Sequence, residues 1–296
     1  MTAHQHRRGL FAVLCAALLW SSGGLFIKWV TVDAFVITQW RSLWAAITIG
    51  LLARAKFEVL WRRPALGSAL VASYALTLLT FVMATRLTTA ANAIFLQYTA
   101  PLWVAAVGFL FLREPPSRLD LATLVVAFSG MVLFFVGRLE PSGARGNLVA
   151  LSSGIFFATF LLLLRRGDSA LRIAAMTGGN VVLFLSMAML HWAQGDLAAF
   201  HPSWRDQAAL LFLGVVQIGL AYVIFDYGIA RVPALEASLL AMLEPVLNPL
   251  WVWLVLRERP SFWANLGGAI ILGALTARSI LAERREARAP ARRSVR

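Results

Sequence analysis

Long apolar runs alternate with short polar interruptions over almost the whole chain. Ten runs of roughly 20 residues recur, at about 10–30, 35–53, 66–85, 89–112, 119–137, 146–164, 173–192, 208–230, 234–256 and 262–282. As helix, at about 1.5 Å per residue, each is long enough to cross a hydrocarbon core of about 30 Å. Turn formers and charges separate them, such as Arg62, Arg63 and Pro64, or Glu140, Pro141, Ser142 and Gly143. The longest connector, about residues 193–207, leaves no room for a soluble domain. The runs are too long and too continuously apolar for barrel strands, and an open sheet would leave backbone groups unsatisfied in lipid. The pattern therefore predicts an all-α integral membrane protein with ten transmembrane helices.

Composition agrees: of 296 residues, 60% are hydrophobic and 14% charged, and the mean hydropathy is +0.75, against about 25% charged residues in soluble domains. Arg7 and Arg8 ahead of the first run have the look of a signal peptide. That run is longer than a signal-peptide core, contains Trp20 and has no small-x-small cleavage site after it, so it is expected to be retained. Net charge is +13, and its placement explains its size. With a cytoplasmic N-terminus, Arg7, Arg8, Arg54, Lys56, Arg62, Arg63, Arg113, Arg118, Arg165, Arg166, Arg172, Arg231 and the tail arginines all fall on the cytoplasmic side. Lys28, Arg86, Arg138, Arg145, Arg205, Arg257 and Arg259 fall on the other, so the bias puts both termini inside. Anchoring against anionic lipid accounts for the basic tail without a nucleic-acid partner. The single cysteine, Cys15, permits no internal disulfide, and His4, His6, His191 and His201 lack metal-ligand spacing. No metal and no cofactor is expected. The pattern leaves the oligomeric state open and is compatible with a monomer.

The chain repeats itself. A shift of 144 residues superposes Pro101 on Pro245, Leu110 on Leu254, Leu112 on Leu256, Arg113 on Arg257, Glu114 on Glu258, Pro116 on Pro260 and Ser117 on Ser261. More weakly, "GLFAVLCAALLW" (Gly9–Trp20) matches "GNLVALSSGIFF" (Gly146–Phe157). Two units follow, residues 1–138 and 139–296, each with five spans. An odd number of spans inverts the second unit relative to the first, and two inverted-topology repeats are the architecture of secondary transporters that work by alternating access around a midplane site.

The "P…LREPPS" and "EP…LRERPS" ends of the fourth and ninth spans, the duplicated five-helix plan and Arg41 in "QWRSLWAA" resemble the drug/metabolite transporter superfamily, specifically its EamA-type exporters, over about residues 9–282. Within that family the length and aromatic-rich spans look most like the YddG-type exporters of aromatic amino acids. The resemblance implies a multi-pass protein of a bacterial inner membrane that exports small amphipathic metabolites, aromatic and other neutral amino acids among them. Exporters of other drugs or metabolites share the same plan. Facilitated diffusion and proton exchange both stay open.

Chemistry concentrates where polar residues interrupt the spans. Glu244 lies about ten residues, roughly 15 Å, from either end of the ninth span, at the midplane. A charge there is costly by about 2.5–3.5 kcal/mol, so such residues face a cavity or a partner. Pro245 and Pro249 remove two backbone donors and free carbonyls one turn earlier, and Asn248 shares a face with Glu244. Ala100 occupies the position equivalent to Glu244, so kinking at Pro101 requires no carboxylate. Glu244 is thus a cap on kinked backbone that helps two helices pack, a substrate or proton site, or a member of another structural pairing. Gln97 and Tyr98 before Pro101, Tyr74, Thr77 and Phe81 on one stripe of the third span, and Gln217 and Tyr222 in the eighth are further candidates for substrate contact. Each one taken singly is more often a helix–helix hydrogen bond. Trp20, followed by Ser21 to Gly24, is a stacking wall or marks a hinge; Arg41 is expected to pair with a carbonyl or an acid in preference to binding substrate; Lys28 is expected to snorkel. Glu114 and Glu258, beside Arg113 and Arg257, read as interfacial pairs. No "GxxxxGK[ST]", "HExxH" or "GxSxG" occurs, which argues against an ATP site and against a membrane-embedded enzyme. Glu244 close to Asp226 around a lipid headgroup would revive the enzyme reading.

Overall fold

A computed structural model describes residues 3–88, 90–111, 117–134, 136, 143–256 and 261–288, without the side chains of 3, 90, 91, 108–111, 134, 248–250, 252, 253, 256 and 282–288. All regular secondary structure among the described residues is helical, with no strand. In order they form α1 (Ala3–Trp20), α2 (Gly23–Trp29), α3 (Ala34–Leu52), α4 (Glu58–Arg62), α5 (Pro64–Leu87), α6 (Ala90–Gln97), α7 (Ala100–Phe111), α8 (Arg118–Phe134), α9 (Ala144–Leu164) and α10 (Ser169–Gln194). A short 3₁₀ turn (Leu197–Phe200) precedes α11 (Trp204–Phe212), a π segment (Leu213–Leu220) and α12 (Ala221–Ile229); α13 (Ala234–Ala241), α14 (Leu243–Leu256) and α15 (Phe262–Arg288) complete the chain. Seven stretches among the described residues are long and apolar enough to cross a membrane: His4–Trp29, Ala34–Leu52, Pro64–Leu87, Ala144–Leu164, Ser169–Gln194, Trp204–Ile229 and Phe262–Leu281. The motif residues Arg113, Glu114, Pro116, Arg257, Glu258 and Pro260, and the boundary at residue 138, lie outside the described residues.

Side chains at the helix starts supply the acceptors that the first turn lacks. Asp33 accepts from the N–H groups of Phe35 (2.6 Å) and Val36 (3.1 Å), Asp168 from Leu171 (2.8 Å), and Ser203 from Asp206 (3.2 Å). Gly195, at φ 69°, ends α10 in the left-handed region where glycine carries no Cβ penalty.

Packing follows a regular plan. α5 lies along α9 and α1 along α12; α3 lies on α10, and α8 on α15; α6 and α7 pack on α9 as α13 and α14 pack on α1. Small residues allow the closest approaches, as expected where helix association rests on van der Waals fit. At Gly214 of the π segment a Cβ would stand 2.6 Å from the carbonyl oxygen of Arg41 on α3. Only a residue without a side chain permits that crossing.

Three membrane-length stretches are interrupted. α1 gives way to α2 at Ser21 and Ser22, whose hydroxyls donate back to the carbonyls of Leu18 (2.6 Å) and Leu19 (2.8 Å). α6 stops at Gln97 and α7 starts at Ala100, while α13 stops at Ala241 and α14 starts at Leu243. The sequence places kinks at the prolines, but Pro101 and Pro245 instead sit in the first turn of α7 and α14, and the breaks fall just before them. A missing N–H is harmless in a first turn, where that donor has no intrahelical acceptor, so proline starts the second segment instead of bending one helix.

Candidate functional site

The interruptions converge. Near the middle of the bundle a cavity of about 40 Å³ is lined by residues from α1, α3, α5, α6, α9, the π segment, α12 and α14. At roughly 10–15 Å³ per water position this is room for about three waters. Two larger grooves, about 820 Å³ beside Leu18, Trp29 and Val255 and about 690 Å³ beside Arg7, Arg8 and Phe11, lie on the outside of the bundle, where those side chains are exposed. Among the described residues, the central cavity is lined mostly by buried side chains and brings several polar groups together.

Aromatic rings form one wall. Trp20, at the last position of α1, meets Phe157 edge-on (centroids 6.3 Å apart) and tilts against Tyr222 and Phe225 (5.0 Å each). Phe81 completes the apolar lining. Tyr74, although on the same sequence stripe as Thr77 and Phe81, does not line the cavity. It stands behind Tyr222 at 4.9 Å, and its hydroxyl accepts from Asn180 Nδ2 at 2.8 Å. Tyr74, Thr77 and Phe81 share one stripe by periodicity, but only tertiary packing ranks them by depth.

Polar groups form the other wall. Tyr98, in the break between α6 and α7, donates its hydroxyl to Glu244 Oε2 at 2.5 Å, joining two interrupted stretches. Gln97 donates from Nε2 to Ser153 Oγ at 2.9 Å, and Ser153 in turn donates to the Thr77 carbonyl at 3.2 Å. Thr77 donates its own hydroxyl to Ser73 O at 2.7 Å, a bond within its helix. The π segment, whose wider turn shifts register by one residue, carries Gln217 into the cavity. Its Nε2 faces the Trp20 carbonyl at 3.4 Å, while its Oε1 has no protein partner. The side chains of Asn248 and Pro249 lie outside the described residues.

Arg41 also lines the cavity. It reaches the Leu78 carbonyl from Nη2 at 3.3 Å, and its Nε and Nη1 have no protein partner. The sequence pattern assigns it a carbonyl or an acid as partner. The carbonyl is present, but its position on the cavity wall was not legible. Phe157 and Ser153 were missed as well. The repeat carried a signal for Phe157, because the match of Gly9–Trp20 with Gly146–Phe157 pairs it with Trp20.

Both ends of the bundle are tied beyond the cavity. At one, Asp206 accepts from Thr31 N (2.9 Å), Thr31 Oγ1 (2.8 Å) and Ser203 Oγ (2.8 Å); Arg86 donates to the carbonyls of Val30 and Val32, and Lys28 Nζ to Thr88 O at 3.4 Å. At the other, Arg278 bonds Asp120 (2.7 Å) and Glu236, and His6 lies 3.5 Å from Glu236. Asp226 belongs to neither the cavity nor an acid pair with Glu244: Arg172 Nε (2.5 Å) and Ser169 Oγ (2.6 Å) hold it. Among the described residues no group of three or more His, Cys, Asp or Glu side chains comes together to hold a metal.

Membrane-length helices interrupted around a small, partly polar internal cavity define a multi-pass membrane protein of the transporter class. The EamA-like transporter family model matches residues 7–136 and again 144–278, and the chain belongs to that family. It is 27% identical over 96% of its length to an "Uncharacterized inner membrane transporter YicL" of Salmonella typhimurium, covering 98% of that protein. It is also 30% identical to a "Probable terminal-alkyne amino-acid exporter" of Streptantibioticus cattleyicolor, over 69% of each chain. A solved crystal structure superposes with a TM-score of 0.75 at 21% identity, over 94% of this chain and 98% of that one, a likeness of fold. Family and relatives point to a transporter and not to an enzyme.

Proposed function

We propose that this protein exports small amphipathic metabolites, aromatic and other neutral amino acids in particular, by alternating access around the central cavity. The observation that carries the reading is the cavity itself: an aromatic wall of Trp20, Phe81, Phe157 and Tyr222 faces Gln97, Tyr98, Gln217 and Glu244. Apolar surface with a few convergent polar groups is what a ligand with one apolar and one polar end requires. The relative named an amino-acid exporter supports the substrate class.

In this reading the chain spans a bacterial inner membrane ten times, as two inverted five-helix repeats with both termini cytoplasmic. The family model matching once in each half supports the duplication, as does the packing: α5 on α9 in one place and α12 on α1 in the other are equivalent pairs if the halves are inverted copies. The ties at the two ends of the bundle are then the two gates, and the breaks before Pro101 and Pro245 are the points where the lining segments pivot. A cavity of about 40 Å³ is too small for an aromatic amino acid, so loading requires the lining helices to part.

Purified protein in liposomes, assayed for uptake of labelled tryptophan, phenylalanine and a charged control amino acid with and without a pH gradient, tests this. Selective uptake of the aromatic pair is expected. Uptake of none of them would move the substrate to another metabolite class, and acceleration by the gradient would make Glu244 the proton site.

A further inference from the structure

We infer that Arg41 is a substrate-binding residue whose guanidinium holds the carboxylate of a zwitterionic substrate, while Glu244 and Gln217 of the same cavity hold the ammonium. This rests on the central cavity being the transport site, and it names the chemical class that site selects: molecules carrying both charges, in preference to amines or acids carrying one.

The case rests on partners. Of the three arginines buried among the described residues, Arg172 and Arg278 each meet carboxylates, at 2.5 Å from Asp226 and 2.7 Å from Asp120. Arg41 is 1% exposed, yet among the described residues no carboxylate oxygen lies within 4.0 Å of it. A guanidinium has five N–H donors and no acceptor, and two of its three nitrogens here meet no protein group. A buried charge left in that condition is strongly disfavoured unless something else answers it. The other unpaired groups lining the cavity divide by type. Trp20 Nε1 is an unused donor, as are Arg41 Nε and Nη1, whereas Gln217 Oε1 is an unused acceptor and Glu244 is a carboxyl without an ion pair among the described residues. Donors answer a carboxylate and acceptors an ammonium, and charge-assisted bonds to each are the strong ones. The aromatic rings that line the same cavity take the side chain.

Full-length protein in liposomes is assayed for labelled phenylalanine uptake, competed by unlabelled phenylalanine, by phenethylamine, which lacks the carboxylate, and by 3-phenylpropionate, which lacks the ammonium. Wild type is expected to prefer phenylalanine over either analogue by roughly 10- to 150-fold, the factor for one charge-assisted hydrogen bond. Arg41→Gln should weaken competition by phenylalanine and phenylpropionate by a similar factor and leave phenethylamine unchanged, with partial recovery in Arg41→Lys. Equal losses for all three ligands, or none, in Arg41→Gln protein that melts like wild type would overturn the assignment. If Arg41→Gln does not fold, the wild-type ranking decides, because equal competition by phenethylamine is incompatible with a carboxylate site. Amino-acid uptake without discrimination among the three sinks this inference alone; absence of any amino-acid uptake, with uptake of singly charged molecules instead, sinks the proposed function with it.

Discussion

Replacing Gly214 by alanine puts a methyl group between α3 and the π segment, the two elements that carry Arg41 and Gln217 to the cavity. The new Cβ would stand 2.4 Å from Trp44 Cβ and 2.6 Å from the Arg41 carbonyl oxygen. Neither atom is at the end of a flexible side chain, so no rotation relieves the contact. Reaching the 3.4 Å of ordinary contact requires the elements to separate by about 1 Å at that point. Overpacking of this kind costs about 1–3 kcal/mol, offset by about 0.5–1 kcal/mol of helix propensity gained from glycine to alanine. A net loss of about 0.5–2 kcal/mol is expected, read as a lower melting temperature of the purified protein in detergent and accompanied by slower transport, since Arg41 moves away from Gln217. Gly273 of α15 supplies the control, because a Cβ there meets nothing within 4 Å. Gly273→Ala should be neutral or stabilising. Equal behaviour of the two variants, or a Gly214→Ala protein as stable as wild type, would refute the close seating of α3 against the π segment.

Tyr98→Phe removes the 2.5 Å bond to Glu244 and should cost about 1–3 kcal/mol, the range for a buried bond to an ionisable group. A double-mutant cycle with Glu244→Gln should show coupling of at least about 0.5 kcal/mol, and additive melting shifts would mean the two side chains act independently. Glu244→Gln should slow transport if its charge or proton is used, whereas wild-type rates with an unchanged pH dependence would assign Glu244 to packing. Arg278→Gln strands Asp120 and Glu236 at one end of the bundle. The expected cost is about 3 kcal/mol, the lower end for a broken buried pair because the Asp120 side chain is 18% exposed, and chemical unfolding with no change in midpoint would contradict it.

The membrane-length helices could be read directly from the amino-acid order. Run length fixes a membrane-spanning helix because lipid offers no partner for an open backbone, and the stretches Pro64–Leu87 and Ser169–Gln194 extend the expected 66–85 and 173–192 by only a few residues at each end. Glu244, Gln97, Tyr98 and Gln217 stood out because polar groups are costly at depth, and all four line the cavity. Which polar residue faces inward was a different matter. In water the apolar stripe of a helix marks its buried face, but in a membrane both the lipid face and the packed face are apolar, so periodicity alone carries little contrast.

Tertiary structure decided what the pattern left equal. Tyr74 and Tyr222 read alike along the chain, yet one stands behind the other, because Asn180 of α10 holds the Tyr74 hydroxyl away from the cavity. Pro101 and Pro245 promised bends and instead begin new helical segments. The π segment that presents Gln217 has no marker in the sequence; it lies where α3 approaches most closely, at Gly214. Arg41 looked like any arginine needing a partner, and what separates it from Arg172 and Arg278 is that no carboxylate among the described residues stands beside it, a property of distant segments brought together. Sequence fixes the membrane as solvent and the helix as the unit because those depend on local backbone and transfer energetics. The site depends on which side chains from distant spans are left without partners, and that is settled only by packing.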